Sequence, residues 1–158
     1  ETNPENDIKV TLCVFNDMVE YKYSFESIDK LQKLRGKDYQ PMSCTALYDA
    51  IGITFLKLQE TVVSGEKVFV AIFTDGLENA STTYSNRDIR HKLNQAEKDG
   101  WMVKFFCRYE DSNYYQERLN LSKNQVFDVA LDANGLKAME SEIMFSIGKL
   151  SDSKNTPK

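Results

Sequence analysis

An unbroken apolar run that stops at an acidic turn is the feature that most restricts the fold of this chain. The run occupies Lys67–Thr74 (KVFVAIFT), and Asp75-Gly76 follows it directly. A strand with apolar residues on both faces is normally covered on both faces, which is typical of the interior of a parallel sheet flanked by helices. In such sheets ligands collect beyond the carboxyl ends of the strands. The sequence therefore predicts a buried strand here, with Asp75 at the edge where ligands bind.

The other segments alternate between strand-like and helix-like patterns. Ile8–Phe15 and the alternating run Val19–Phe25 predict an antiparallel hairpin, and apolar spacings of three and four predict a helix over Thr45–Val62. Further elements are predicted at Ser85–Asp99 (helix), Trp101–Arg108 (strand), Val126–Leu131 (strand) and Leu136–Leu150 (helix), with a short helical segment between the last two strands. This order predicts a three-layer, Rossmann-like α/β fold. Its sheet would be mostly parallel, with one antiparallel edge strand and helices on both faces.

Size and composition describe one globular domain. Of the 158 residues, 41% are hydrophobic and 28% charged; residues 1–150 are expected to form the domain and 151–158 a disordered polar tail. The net charge of −4, without a basic stripe, argues against binding of nucleic acid. No stretch resembles a signal peptide or a membrane span, although Glu1 is not an initiator methionine, so the removal of an upstream segment stays open.

The three cysteines have no metal-ligand spacing, which favours reduced thiols and a cytoplasmic location. Two of them lie in strand-like runs, where a cysteine is usually a packing residue. Cys44 lies in a loop and is the one whose reactivity is worth testing.

Acidic turns follow three of the predicted strands, at Asn16-Asp17, Asp75-Gly76 and Glu110-Asp111. The helix that starts at Thr45 is expected to begin at the same edge, because a right-handed crossover brings helix starts near strand ends. Mg²⁺ takes oxygen ligands, with few carboxylates and several waters, so the Thr45 hydroxyl and the Asp75 carboxylate suit such an ion. The alternative is structural, with Thr45 as a helix cap and Asp75 as a turn residue.

Two motifs carry a resemblance to a known family. SCTALYDAIG (residues 43–52) and FTDGLENAS (residues 73–81) resemble motifs of the von Willebrand factor A domain family, most closely its stand-alone bacterial members. The run VFND (residues 14–17) is similar to the family's second strand and hairpin turn, and the likeness covers residues 8 to about 150. It implies a protein-binding module with a metal-ion-dependent adhesion site, in which Thr45 and Asp75 match two metal ligands. The cation, Mg²⁺ or another divalent ion, would leave one position for an acidic group on a protein partner.

The chain departs from the family pattern at its start. The family's Asp-x-Ser-x-Ser motif, at the end of its first strand, occurs nowhere, and only Glu1–Asp7 precede the first predicted strand. The resemblance puts the missing strand in the middle of the sheet, where a gap would leave rows of backbone groups unpaired. Three remedies stay open: a strand from a second chain in an oligomer, direct closure of the flanking strands, or a longer natural protein. With Thr45 and Asp75 alone, little or no metal is expected to bind, and a complete site for Mg²⁺ or another divalent cation is expected only in an intact form that contains the missing strand.

Neighbouring residues are secondary candidates. On the resemblance, the rim of the site would include Ser43, Asp17, Gly76, Glu78 and Asn79. Glu78 and Asn79 would equally suit a role in fastening their own loop. Asp49, one turn past Thr45, is expected to make a surface or supporting contact. The pair Tyr114-Tyr115 is expected to pack against the sheet, with an exposed sticky patch as the alternative.

Two functions compete. The leading one is a binding module without catalysis, since the sequence has one histidine, His91, off the apolar stripe of its helix, and shows no nucleophile–base pair. The rival is a phosphotransferase of the haloacid dehalogenase type with Asp75 as phosphate acceptor. That chemistry needs a second acidic residue two positions later, where this chain has Leu77.

Overall fold

The computed structural model of the chain describes residues 8–36 and 44–152. In chain order this part contains β1 (Lys9–Phe15), β2 (Val19–Ser27), a short 3-10 helix (Ile28–Lys30), α1 (Leu47–Thr61), β3 (Phe69–Phe73), α2 (Asn86–Lys98), β4 (Met102–Cys107), α3 (Tyr109–Leu119), β5 (Val126–Asp128) and α4 (Ala133–Asp152). Helices and strands alternate from α1 onward, and the strands after it are parallel. The predicted α/β class is therefore confirmed.

The described strands form two separate sheets, whereas the sequence predicted a single mixed sheet. β1 and β2 pair antiparallel, while β3, β4 and β5 form a parallel sheet in that order. Within residues 8–36 and 44–152 no backbone ladder joins β1 to β3. β1 and β3 are the two strands between which the resemblance placed the missing strand, so the absence of a ladder between them does not contradict the predicted, mostly parallel sheet, of which β3–β5 form the parallel part. Direct closure of the two flanking strands does not occur.

The segments that follow β1 and β3 nevertheless meet at the start of α1. Asn16, the residue after β1, accepts a hydrogen bond from the N–H of Ala46 (2.6 Å). Asn79, in the loop after β3, exchanges hydrogen bonds with Thr45. Both strands therefore end next to the start of α1. The two sheets share one carboxyl edge, which is where the sequence placed the candidate site.

β3 is an open edge of its sheet. The carbonyl of Val68 and the N–H of Thr74 bond to β4, so the even-numbered residues of β3 direct their backbone groups toward β4. Because backbone direction alternates along a strand, the N–H and C=O groups of Phe69, Ala71 and Phe73 point to the free edge. A row of backbone donors and acceptors of this kind is a template for pairing with another strand.

The side chains of β3 are also less covered than predicted. Only Ile72 is buried, and Phe73 is 43% exposed. Helix α4, which packs on β3 and β4, keeps large apolar side chains on its surface, among them Leu136, Met144 and Phe145. β3 is therefore less covered than predicted, with Ile72 as its one buried residue, and it lies at the end of its sheet among the described strands.

The core lies between β4 and the helices α1 and α2. Val103 and Phe105 of β4 are buried in one cluster with Ile89 of α2. Lys104 points to the other face of the sheet and forms an ion pair with Glu142 of α4 (2.8 Å). Helices α2 and α4 therefore cover opposite faces of the parallel sheet, as predicted.

The start of α1 differs from the prediction. The helix begins at Leu47, and the side chain of its N-cap residue, Ala46, makes no capping hydrogen bond. The predicted cap at Ser43 or Cys44 is wrong, and so is the alternative of Thr45 as a cap, because the extended segment before the helix is fixed by backbone contacts with other loops.

Two later elements also extend beyond their predicted positions. Glu110 and Asp111 lie in the first turn of α3, so the predicted acidic turn is the amino end of a helix. Helix α4 continues through Ser151 and Asp152, which the sequence had assigned to the tail; residues 153–158 lie outside the described part. In both cases a helix that the sequence marks weakly is stabilised by packing, of α3 on β5 and of α4 on the sheet.

Candidate functional site

The segment before α1 is held between the turn after β1 and the loop after β3. The N–H of Thr45 donates to Asn79 Oδ1 (2.8 Å), and the N–H of Asn79 donates to the Thr45 carbonyl (3.1 Å). From the other side, the Asn16 carbonyl accepts the N–H of Ala46 (2.6 Å). Three of the segments that the sequence placed at one edge are therefore in direct contact.

The hydroxyl of Thr45 faces the turn that carries Asp75. A Cβ atom placed on Gly76 would lie 3.4 Å from Thr45 Oγ1, with no other atom of the described chain closer than 4 Å. Asp75 precedes this glycine and is exposed, while Thr45 is half-buried. The two predicted metal ligands thus lie on adjoining segments, a hydroxyl on one and a carboxylate on the other.

Two hydrogen bonds to its carbonyl hold the turn at Gly76 in place. Its carbonyl accepts hydrogen bonds from Thr74 Oγ1 (2.8 Å) and from the phenol of Tyr115 (2.6 Å). Tyr115 is fully buried in α3, and burial raises the pKa of its phenol, so the phenol remains a donor. The prediction that the Tyr114-Tyr115 pair packs inside is confirmed for Tyr115. It anchors the Asp75 turn to the core.

Glu78 fastens the loop after β3 to α1. Its Oε2 accepts the N–H of Tyr48 (2.9 Å) and the hydroxyl of Ser81 (2.8 Å), and its Oε1 accepts the N–H groups of Ala80 (2.9 Å) and Ser81 (2.7 Å). Both carboxylate oxygens therefore accept hydrogen bonds from the loop, and one of them also accepts a hydrogen bond from α1. Of the two roles considered for Glu78 and Asn79, the structure shows the fastening role for each.

Asp49 holds the next part of the same loop. Its side chain is buried in α1, and its carboxylate accepts the N–H groups of Thr82 (2.9 Å), Thr83 (3.0 Å) and Tyr84 (2.8 Å). Burial alone would raise the pKa of Asp49, but these three donors outweigh it and the pKa lies below its ordinary value. The sequence predicted a surface or supporting contact for Asp49. The structure shows a buried structural contact, in which both carboxylate oxygens bind backbone N–H groups of the loop.

The remaining rim residues are distributed unevenly. Asp17 is exposed on the hairpin turn, next to Asn16, and Ser43 lies outside the described residues. Cys44 is exposed directly before Thr45, whereas burial raises the pKa of the Cys13 thiol and brings the pKa of the Cys107 thiol to about 11. A reactive thiol would therefore be Cys44.

Arg108 is a site residue that the sequence analysis did not single out. It follows β4, and its guanidinium contacts Asp111 Oδ2 through Nε and Nη2 (both 2.8 Å) and Glu110 Oε1 through Nη1 (3.1 Å). The hydrogen bond to Asp111 is the main cause that raises the pKa of Arg108, and the negative charge of Asp75 adds to it. No local pattern in the sequence marks it, because position 108 comes near position 75 only through the pairing of β3 with β4.

The described residues fit a weak divalent-cation site better than a strong one. Among residues 8–36 and 44–152 no three His, Cys, Asp or Glu side chains are grouped so as to hold a metal. Thr45 and Asp75 supply two oxygen donors of the kind that Mg²⁺ accepts, and water would have to provide the rest. The exposed carboxylates Asp17, Glu110 and Asp128 add negative charge at the same edge.

These features define a class: an α/β protein whose carboxyl edge presents a hydroxyl, an exposed acid and a tethered arginine. Comparison of the chain with known proteins gave no match to a family model, a curated protein or a solved structure. None of the helices in the described part is long and apolar enough to cross a membrane.

Proposed function

We propose that this chain is a protein-binding module of the von Willebrand factor A type, which catalyses no reaction. It would engage an acidic group of a protein partner at the carboxyl edge, through a divalent cation, Mg²⁺ or a similar ion, held weakly by Thr45 and Asp75. The sequence motifs support this proposal because they bring a threonine and an aspartate in the expected order. The observation that carries it is the nearness of the Thr45 hydroxyl to Gly76, the residue after Asp75, since a Cβ atom placed on that glycine would lie 3.4 Å from Thr45 Oγ1.

The charge of the edge supports a role for a cation. Asp17, Asp75, Glu110 and Asp128 are exposed there, and Arg108 is already paired with two acids. Such an edge attracts cations and repels a partner's carboxylate. A bound divalent ion would supply the positive charge and the open coordination position, while Thr45 and Asp75 hold it in place. Partner binding is therefore expected to require the cation.

Binding of Mn²⁺, followed by electron paramagnetic resonance, tests the proposal. We expect weak binding, with a dissociation constant of roughly 1 mM because most ligands would be waters. The variants Thr45→Ala and Asp75→Asn should each weaken it by roughly tenfold or more, since each removes a direct ligand. Asp152→Asn, an exposed acid at the end of α4, is the matched control and should change nothing.

The partner's acidic group has its own readout in the same experiment. A short glutamate-containing peptide should displace water from bound Mn²⁺ and lower the water-proton relaxation that the ion causes, whereas the same peptide with glutamine should not. Mn²⁺ binding that is indifferent to both Thr45→Ala and Asp75→Asn would show that the site is elsewhere and end the proposal.

The phosphotransferase alternative predicts a different outcome. It would make Asp75 a nucleophile, yet the position two residues later is the exposed Leu77 and not an acid. We expect no hydrolysis of p-nitrophenyl phosphate with Mg²⁺ present. Metal-dependent turnover that disappears in Asp75→Asn would favour the alternative over a binding module.

We also propose that the gap between the two sheets is filled by a strand from a second copy of the chain. The segments that follow β1 and β3 both reach the start of α1, and the edge of β3 away from β4 offers three residues whose backbone groups point outward. The half-covered side chains of β3 and of α4 would become buried on such pairing. Burial of this surface would favour an oligomer.

A further inference from the structure

Asp75 and Arg108 lie just past the ends of two paired strands. The β3–β4 register pairs Phe73 with Phe106, whose rings stack at 4.9 Å, and the N–H of Thr74 donates to the Phe106 carbonyl (3.0 Å). Asp75 comes two residues after Phe73, and Arg108 two residues after Phe106. Neighbouring strands lie about 4.8 Å apart, so the two residues follow adjacent points of the edge, and the charge of Asp75 is among the causes that raise the pKa of Arg108.

The guanidinium of Arg108 is held in this place. Arg108 Nε and Nη2 both donate to Asp111, which is buried in the first turn of α3. Arg108 Nη1 forms an ion pair with the exposed Glu110. A side chain tied at three nitrogens does not swing away as a free surface arginine would. The loop with Asp75 is likewise tied to α3, through Tyr115 and the Gly76 carbonyl.

We propose that Arg108 is a built-in counter-cation of Asp75 that lowers the affinity of the carboxyl edge for divalent ions. The inference rests on the proposed function, since it concerns the same cation site. A fixed positive charge beside a metal ligand repels the incoming ion and is already partly neutralised by that ligand. Weak cation binding is then a property built into the edge by Arg108, and not only a result of having few ligands.

The test measures Mn²⁺ affinity by electron paramagnetic resonance in charge variants of Arg108. Arg108→Gln should bind Mn²⁺ roughly three- to tenfold more tightly than the unchanged protein, because one repelling charge is gone. Arg108→Lys, which keeps the charge, should stay within roughly twofold of it. An unchanged or weaker affinity in Arg108→Gln would overturn the inference. A weaker affinity would instead assign Arg108 to a supporting role.

Removal of Arg108 also releases Asp111, which could itself take up Mn²⁺ or destabilise the fold as an unpaired buried charge. The double variant Arg108→Gln/Asp75→Asn separates the two explanations. If Arg108 acts by its charge on the cation site at Asp75, the gain in Mn²⁺ affinity should disappear when Asp75 is neutralised. A gain that persists without Asp75 would mean that the released Asp111 is the added ligand, which contradicts the inference.

Asp75→Asn separates this inference from the function on which it rests. If Asp75→Asn and Thr45→Ala abolish Mn²⁺ binding while Arg108→Gln leaves it unchanged, the cation site stands and the counter-cation role is wrong. If none of the three variants alters Mn²⁺ binding, the cation site itself is wrong.

Discussion

Asp49 and Asp75 are both acids near the start of α1, but their surroundings give them opposite roles. Asp49 is buried and accepts three backbone N–H groups from the loop at Thr82–Tyr84. Asp75 is exposed and lies at the turn that the Thr45 hydroxyl faces. A buried carboxylate with its oxygens satisfied by backbone donors is a structural group, whereas an exposed one beside a neutral oxygen is free to meet a ligand.

The structural role of Asp49 predicts a pH-dependent loss of stability. Asp49→Asn should lower the free energy of unfolding at pH 7 by about 1–3 kcal/mol, because charge-assisted bonds are lost. The folded-state pKa of Asp49 is lowered, so its contribution is present above the pKa of an unfolded aspartate, about 3.9, and disappears as the pH falls through the folded-state pKa. Urea unfolding at pH 7 and pH 3 measures this difference.

The difference between the unchanged protein and Asp49→Asn should therefore shrink at the lower pH. Asp152→Asn is the control, since that acid is exposed at the end of α4. An equal loss at both pH values would contradict the assignment of Asp49 as an ionised acceptor.

Residue roles were predictable from the sequence only where the chemistry is local. The helix that the sequence predicts from Ser85 is present as α2, and Ser85 and Asp88 form both hydrogen bonds of a capping box at its start. The fastening role of Glu78 depends on the N–H of Tyr48, 30 positions away, which no local pattern reveals. Arg108 was missed for the same reason, because only the register of two strands brings it beside Asp75.

At the scale of elements, β3 shows that an apolar run does not by itself determine a strand's place in the sheet. The run predicted a strand covered on both faces, yet among the described strands β3 pairs only with β4, and Ile72 is the one buried residue of its five. The residue composition of a strand indicates how suitable it is for burial. The elements that pair with it and pack on it decide how much of it is buried. The strand that pairs with the free edge of β3 is therefore what an experiment on this element has to identify.

Proline substitutions on β3 test whether that edge is an interface. Ala71 directs its N–H to the free edge, so Ala71→Pro should keep the fold and reduce self-association, because a paired edge loses a donor. Ile72 directs its N–H to β4, so Ile72→Pro should destabilise the protein by about 3 kcal/mol or more. Analytical ultracentrifugation measures association, and thermal unfolding measures stability.

Three outcomes are informative in this pair. Reduced association in a folded Ala71→Pro supports strand pairing between copies. Equal association in Ala71→Pro and the unchanged protein would place the interface elsewhere. A monomeric unchanged protein at high concentration would contradict the proposed oligomer.

At the scale of the whole molecule, the order of elements was predictable and the way the sheets join was not. Hydrophobic periodicity is local, so the alternation of helices and strands from Thr45 onward is visible in the sequence. Whether β1 and β3 belong to one sheet depends on what lies between them, and the resemblance rather than the residues placed a strand there. Among the described residues, no backbone hydrogen-bond ladder connects β1 with β3.

The exposure of Cys44 next to Thr45 has a practical consequence. The chain has three cysteines, and the other two carry thiols whose pKa values are raised by burial. A maleimide fluorophore or a nitroxide would therefore attach at this one position without any engineering of the sequence. The reporter would stand one residue from the hydroxyl that faces the acidic turn, close enough for its emission or spectral line shape to respond when an ion or a partner arrives.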